Sequence, residues 1–168
     1  MALLVTSVTT SAQNSDDYFL DSGDKIGIRV HGEEDLSFET KIGVEGTILY
    51  PFLGELEVAN KTTAGVRRLI KEGLKGDYLD EPNVDVAIIE YRPFFILGQV
   101  NRPKDYPFQP GLTVSQAIAI GGGFTERASK KGIELKRVKH GTVSLLNDVD
   151  MDERVYPGDV ITISESFF

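Results

Sequence analysis

The stretch from Phe95 to Phe124, FILGQVNRPKDYPFQPGLTVSQAIAIGGGF, sets the tightest limit on what this chain can fold into. Phe95, Ile96 and Leu97 read as an apolar strand stopped at Gly98. Pro103, Pro107 and Pro110 punctuate the loop that follows, because each fixes its own φ and has no N–H to offer a sheet. A helix opens at Thr113, a hydroxyl residue suited to capping free N–H groups, and Gly121-Gly122-Gly123 stops it. Strand, turn, short strand and helix within thirty residues have too few partners of their own. The strands that complete the sheet must come from the chain beyond.

That chain supplies them at Ile133 to Val138, Thr142 to Leu146 and Val160 to Ile163. Strands on either side of one helix suggest a β-grasp-like domain over residues 92–168. Residues 16–91 read as a separate β-rich domain with one helix. Its first strand is KIGIRV, with Ile26, Ile28 and Val30 on one face. His31 to Asp35 reads as a polar loop, Thr40 to Val44 as a strand, and Glu45-Gly46 as a turn before Ile48, Leu49 and Tyr50. Glu55 to Val58 is another extended piece. The helix runs from Thr63 to Leu74, capped by Thr62 or Thr63, with Val66, Leu69, Ile70 and Leu74 on one stripe. Pro82 forbids its continuation, and Val84, Val86 and Ile88 alternate in a closing strand. Arg92-Pro93 marks the boundary, since proline biases the preceding residue to extended structure. The expected class is α+β, as two small stacked domains. Gly23-Asp24-Lys25-Ile26-Gly27-Ile28 and Gly158-Asp159-Val160-Ile161-Thr162-Ile163 share the pattern G-D-x-I-x-I. Both read as a tight turn in which the carboxylate accepts a local N–H before a strand begins.

Residues 1–15 are expected to be a signal-peptide remnant or a disordered leader. Ala2 to Val8 is mostly apolar, and Thr10-Ser11-Ala12 resembles a small-residue cleavage site. The net charge of -8 argues against nucleic acid, whose binding needs a basic face. With no cysteine in 168 residues, disulfides, thiolate metal sites and thiol nucleophiles are excluded.

No catalytic, metal or cofactor constellation emerges, and no cofactor is expected. The glycine triplet lacks the GK[ST] ending of a phosphate loop and follows its helix, so it reads as a helix stop. His31 and His140 have no second histidine at ligand spacing. The carboxylates at Glu33-Glu34-Asp35 and at Asp148, Asp150, Asp152 and Glu153 read as solvated turns. Two features suggest contact instead. Arg127, Lys130, Lys131, Lys136, Arg137 and Lys139 form a positive strip on an acidic chain. Aromatics including Tyr106 and Phe108 gather in the second half, where they either pack or stack on sugar rings. Lys130, Lys131, Arg127, Tyr106 and Phe108 are the candidate contacts for a glycan or partner.

Several motifs, in order, resemble a known family. Tyr18 to Ile26 is similar to the opening Y-x-L-x-x-G-D-x-I/L of the polysaccharide biosynthesis/export domain. Val44 to Ile48 with Pro51 to Gly54 resembles its V-x-x-D-G-x-I-x-x-P-x-I/L-G, with Glu45 in place of Asp. Tyr78 to Val84 resembles its Y-L/I-x-x-P-x-V. Gly98-Gln99-Val100, Pro103 and Ala117 to Gly123 are similar to the soluble-ligand-binding β-grasp (SLBB) domain, and Tyr156 to Ile161 looks like its closing strand. The resemblance implies Wza-type polysaccharide export: a periplasmic homo-oligomeric ring near the outer membrane, working with an inner-membrane polysaccharide co-polymerase. The chain has neither the lipobox cysteine of the familiar members nor their C-terminal amphipathic helix, so it resembles a short member paired with a separate outer-membrane barrel. The competing expectations are a monomeric glycan-binding or adaptor module, and an enzyme acting through paired carboxylates.

Overall fold

The computed structural model describes residues 18–139 and 141–166. The leader expected at 1–15 lies outside the described residues, as does His140. The fold is α+β, in two small domains.

The first domain holds β1 (Lys25–Val30), β2 (Glu33–Lys41), β3 (Thr47–Tyr50), β4 (Gly54–Glu57), α1 (Thr63–Leu74) and β5 (Val84–Glu90). Its main sheet has the order β2-β1-β5, antiparallel throughout, and β3 and β4 form a separate hairpin. Alternation makes β1 the centre of the core: Ile26, Ile28 and Val30 are buried, while Gly27 and Arg29 face outward. Helix α1 lays Val66, Ile70 and Leu74 into the same core. The Thr62 side chain accepts the Gly65 N–H at 3.2 Å and so satisfies one free donor of the first turn.

Two details differ from the sequence expectation. His31 to Asp35 is not a loop, because only His31 and Gly32 turn the chain and β2 begins at Glu33, which pairs with Val30. The charged residues tolerate strand geometry here because β2 is a sheet edge with its outward side in water. The strand expected at Thr40 to Val44 ends instead at Lys41, and Val44 is 90% exposed in a turn. That turn is closed by backbone bonds from Gly43 N–H to Thr47 O at 3.0 Å and from Gly46 N–H to Gly43 O at 2.9 Å. Gly46 also receives the Val58 and Ala59 N–H groups on its carbonyl, and a Cβ there would lie 2.5 Å from the Ala59 Cβ.

The second domain holds β6 (Phe94–Gly98), β7 (Lys104–Tyr106), α2 (Val114–Ile120), β8 (Ala128–Lys139), β9 (Thr142–Leu146) and β10 (Val160–Glu165). The five strands form one mixed sheet in the order β7-β6-β10-β8-β9. The last strand, β10, enters between β6, to which it is parallel, and β8, to which it is antiparallel. This is a β-grasp arrangement, and α2 packs Val114, Ala117 and Ile118 across one face. A capping box starts α2: Thr113 accepts from the Gln116 N–H, and Gln116 accepts from the Thr113 N–H. The glycine triplet stops it, with the N–H groups of Gly121, Gly122 and Gly123 donating to Ala117, Ala119 and Ile118. Gly98 has φ +81, and a Cβ would sit 2.1 Å from the Ile163 carbonyl oxygen, so the β6–β10 approach admits only glycine.

Candidate functional site

The two G-D-x-I-x-I segments are the same device. Asp24 and Asp159 are both buried, at 0% and 1% exposure. Each accepts the N–H of the residue three before it: Asp21 to Asp24 at 2.9 Å, and Tyr156 to Asp159 at 2.8 Å. Each then leads directly into the central strand of its sheet. A buried carboxylate needs a cation or several donors, and each has an arginine. Arg137 approaches Asp159 with Nε at 3.0 Å and Nη2 at 2.8 Å. Arg92 approaches Asp24 with its backbone N–H at 2.8 Å and its Nη1 at 3.0 Å.

Arg92 therefore lies where the two domains meet. Its Nη1 also donates to the Tyr18 hydroxyl at 2.7 Å, and that hydroxyl donates to Asp24 at 2.8 Å. A Cβ on Gly158 would fall 2.8 Å from Arg92 Nε, and one on Gly23 would fall 3.3 Å from Arg92 Cβ. Both turn glycines thus leave room for the same side chain. Burial and the Asp24 charge push the Tyr18 hydroxyl far above its ordinary pKa, with Arg92 offsetting only part. Burial works against the Arg137 charge, but the hydrogen bonds and charges of Asp159 and Glu153 outweigh it and raise its pKa.

The residues singled out from sequence do not converge. Arg137 leaves the basic strip, because it shares the inward face of β8 with Ile133 and Leu135. That alternation was readable; the buried carboxylate it serves was not. Arg127 pairs with Glu165. Lys130 and Lys131 are exposed on β8. Tyr106 is 6% exposed, with its ring on Phe94 and its hydroxyl donating to the Arg102 carbonyl at 2.6 Å. Phe108 is half-buried and meets Tyr91 edge-on at 5.3 Å, and Tyr91 meets Tyr18 at 5.0 Å. These rings form an aromatic bridge across the junction rather than an open platform.

Among the described residues, two sheet faces are left open. The outward face of β2-β1-β5 carries a groove of about 390 Å³ lined by Gly27, Arg29, Ser37, Glu39, Asp85 and Ile89. At its rim, His31 Nε2 lies 2.8 Å from Asp85, and this hydrogen bond holds the Asp85 carboxyl below the usual range. The groove has a mainly apolar floor, and of its polar groups Ser37, Glu39 and Asp85 are already paired with Val30, Lys25 and His31. The outward face of the second sheet carries Phe95, Leu97, Val138, Val143 and Leu145, all exposed. Among the described residues, no group of three or more His, Asp or Glu side chains is placed to hold a metal ion. Nor is any described helix long and apolar enough to cross a membrane.

Residues 12–89 match the model of the polysaccharide biosynthesis/export protein family, and residues 93–146 match the SLBB domain. The chain belongs to the polysaccharide biosynthesis/export family. It is similar to the exopolysaccharide production protein ExoF of Rhizobium meliloti (strain 1021), at 32% identity over 73% of this chain and 32% of that protein. It is also similar to the polysialic acid transport protein KpsD of Escherichia coli, at 28% identity over 72% of this chain and 22% of that protein. The chain thus spans about a third or less of the length of these relatives.

Proposed function

We propose that this chain is a non-enzymatic component of a polysaccharide export machine at the cell envelope. In this reading it assembles in the periplasm as a homo-oligomeric ring that guides a capsular polysaccharide or exopolysaccharide towards the outer membrane. The first domain bounds the passage and the β-grasp domain supplies contacts between subunits. An inner-membrane polysaccharide co-polymerase feeds it, and a separate outer-membrane barrel receives from it. The observation that carries the reading is the export-domain match followed in order by the SLBB match, on two domains locked through Arg92. The outward face of the second sheet, where Phe95, Leu97, Val138, Val143 and Leu145 stand exposed beside Glu134 and Lys136, is the kind of mixed surface that subunit contacts bury. Mass photometry of the full chain, alone and with its co-polymerase, tests the ring. A closed assembly of many copies is expected, and a strict monomer in both samples overturns it. Export itself is tested by deleting the gene: polymer should still be made but not reach the cell surface, and unchanged surface polymer refutes the role.

A second reading, a monomeric glycan-binding or adaptor module, is favoured by the exposed side chains of Lys130 and Lys131. Titration of an acidic exopolysaccharide against the K130A/K131A variant separates the two. Lost affinity with an unchanged oligomeric state supports the adaptor.

A further inference from the structure

We propose that β9 is a pairing edge, and that its partner is β9 of a second copy of this chain, running antiparallel. Strand β9 ends the five-stranded sheet, and its residues Thr142 to Leu146 pair only with β8. Among the described residues, no loop or turn makes a further backbone hydrogen bond to it. An edge strand of this kind presents a row of open N–H and C=O groups, and proteins normally guard such rows with charge, brevity or cover. In the two larger sheets the other outer strands follow that rule. β2 carries Glu33, Glu34, Asp35, Glu39 and Lys41; β5 carries Asp85 and Glu90; β7 has three residues, two of them Lys104 and Asp105. Strand β9 breaks it. Its sequence TVSLL has no charge and no proline, and all five residues are exposed.

Both of its faces are open as well. Val143 and Leu145, each 59% exposed, stand on the outward face, and Leu146, 40% exposed, stands on the other. Charge selects the partner and its direction. Lys139 flanks the start of β9, and Asp148 and Asp150 follow its end. Antiparallel pairing of β9 with itself, centred on Ser144, sets each basic end beside the other copy's acidic end. A parallel pair would put like ends together. In the antiparallel register Thr142 faces Leu146 of the second copy and Val143 faces its Leu145, an apolar cross-strand pair made twice. The contact is isologous, so by itself it gives a dimer. It is therefore independent of ring closure; within a ring it joins rings in pairs.

The absence of cysteine makes the test direct. In the S144C full chain the two introduced thiols face each other across the pair, at a Cα separation of about 4.5–5.5 Å, within disulfide reach. Mild oxidation should convert S144C to a covalent dimer. T142C should stay uncrosslinked, because its two copies lie about four residues apart along the strands, roughly 13 Å. The T142C/L146C double variant should crosslink again. L145K, at an exposed position, should keep the native circular dichroism spectrum and weaken association about tenfold in sedimentation velocity, since two charges enter the pair. The proposal is overturned if S144C crosslinks no better than T142C. It is also overturned if L145K leaves the sedimentation profile unchanged. A monomer whose β9 is covered by the N-terminal segment, or a ring built without β9, gives those results.

Discussion

Replacing Asp24 tests whether the buried Gly-Asp turn holds the first domain to the junction. The carboxylate is fully buried and accepts from the Tyr18 hydroxyl at 2.8 Å, the Asp21 N–H at 2.9 Å, the Arg92 N–H at 2.8 Å and Arg92 Nη1 at 3.0 Å. D24N keeps the volume and one acceptor oxygen but removes the charge. Breaking a buried ion pair by removing one partner costs about 3–5 kcal/mol. Here the lower end applies, because the Arg92 side chain is 17% exposed and Asp21 stands 3.7 Å away as a partial substitute. Turning an amide NH2 towards donors that previously met a carboxylate adds about 1 kcal/mol. The expected loss is therefore about 4 kcal/mol for D24N, against a typical domain stability of roughly 5–15 kcal/mol.

Urea denaturation followed by far-UV circular dichroism reads this as a lowered midpoint at unchanged slope. For a domain of this size the melting temperature should fall by roughly 15–30 °C. The double variant D24N/R92M supplies the internal check, because it removes the stranded cation along with the carboxylate. It should recover about 2 kcal/mol relative to additivity. A D24N loss below about 1 kcal/mol, or strict additivity with R92M, would refute the ion pair as the source of the stability.

D159N should weaken the second domain in the same way, and R137M in that background should restore part of the loss, read from the corresponding urea transition. G98A should be among the most damaging single changes, at about 3 kcal/mol or more by thermal melting, because it combines a strained φ with a clash against the Ile163 carbonyl. The chain should also lose stability in alkali. Burial pushes the Tyr50 hydroxyl up to about 12, so its contribution is complete below the unfolded value of about 10 and is lost as pH rises from there to about 12. Y50F should flatten that fall in urea midpoints taken at stepped pH, and should cost about 1 kcal/mol at neutral pH because the buried Leu36 carbonyl loses its donor.

Much of the framework was legible because its signals are local. Thr62 with Val66, Ile70 and Leu74 fixes α1 within thirteen residues. Thr113, Gln116 and the glycine triplet fix α2 in the same way. The charges at the start of β2 hid a strand, because an edge tolerates in water what a central strand does not. Tyr106 illustrates the converse: its local sequence leaves open packing or stacking on a sugar, and its packing is decided by Phe94, the residue opposite it on β6.

The two Gly-Asp turns show where legibility stops. Within each turn the carboxylate bonds to an N–H three residues back, so the pattern G-D-x-I-x-I announces it. The cations come from 68 and 22 residues away, and nothing beside Arg92 or Arg137 marks either as a partner of a buried carboxylate. A positive strip read from sequence therefore lost Arg137 to Asp159 and Arg127 to Glu165, while Lys130 and Lys131 stayed exposed. The same sorting makes the uncharged β9 informative. Among the described residues, the other outer strands of the two larger sheets carry charge, so the uncharged and uncovered edge of β9 is where an additional strand costs least to add.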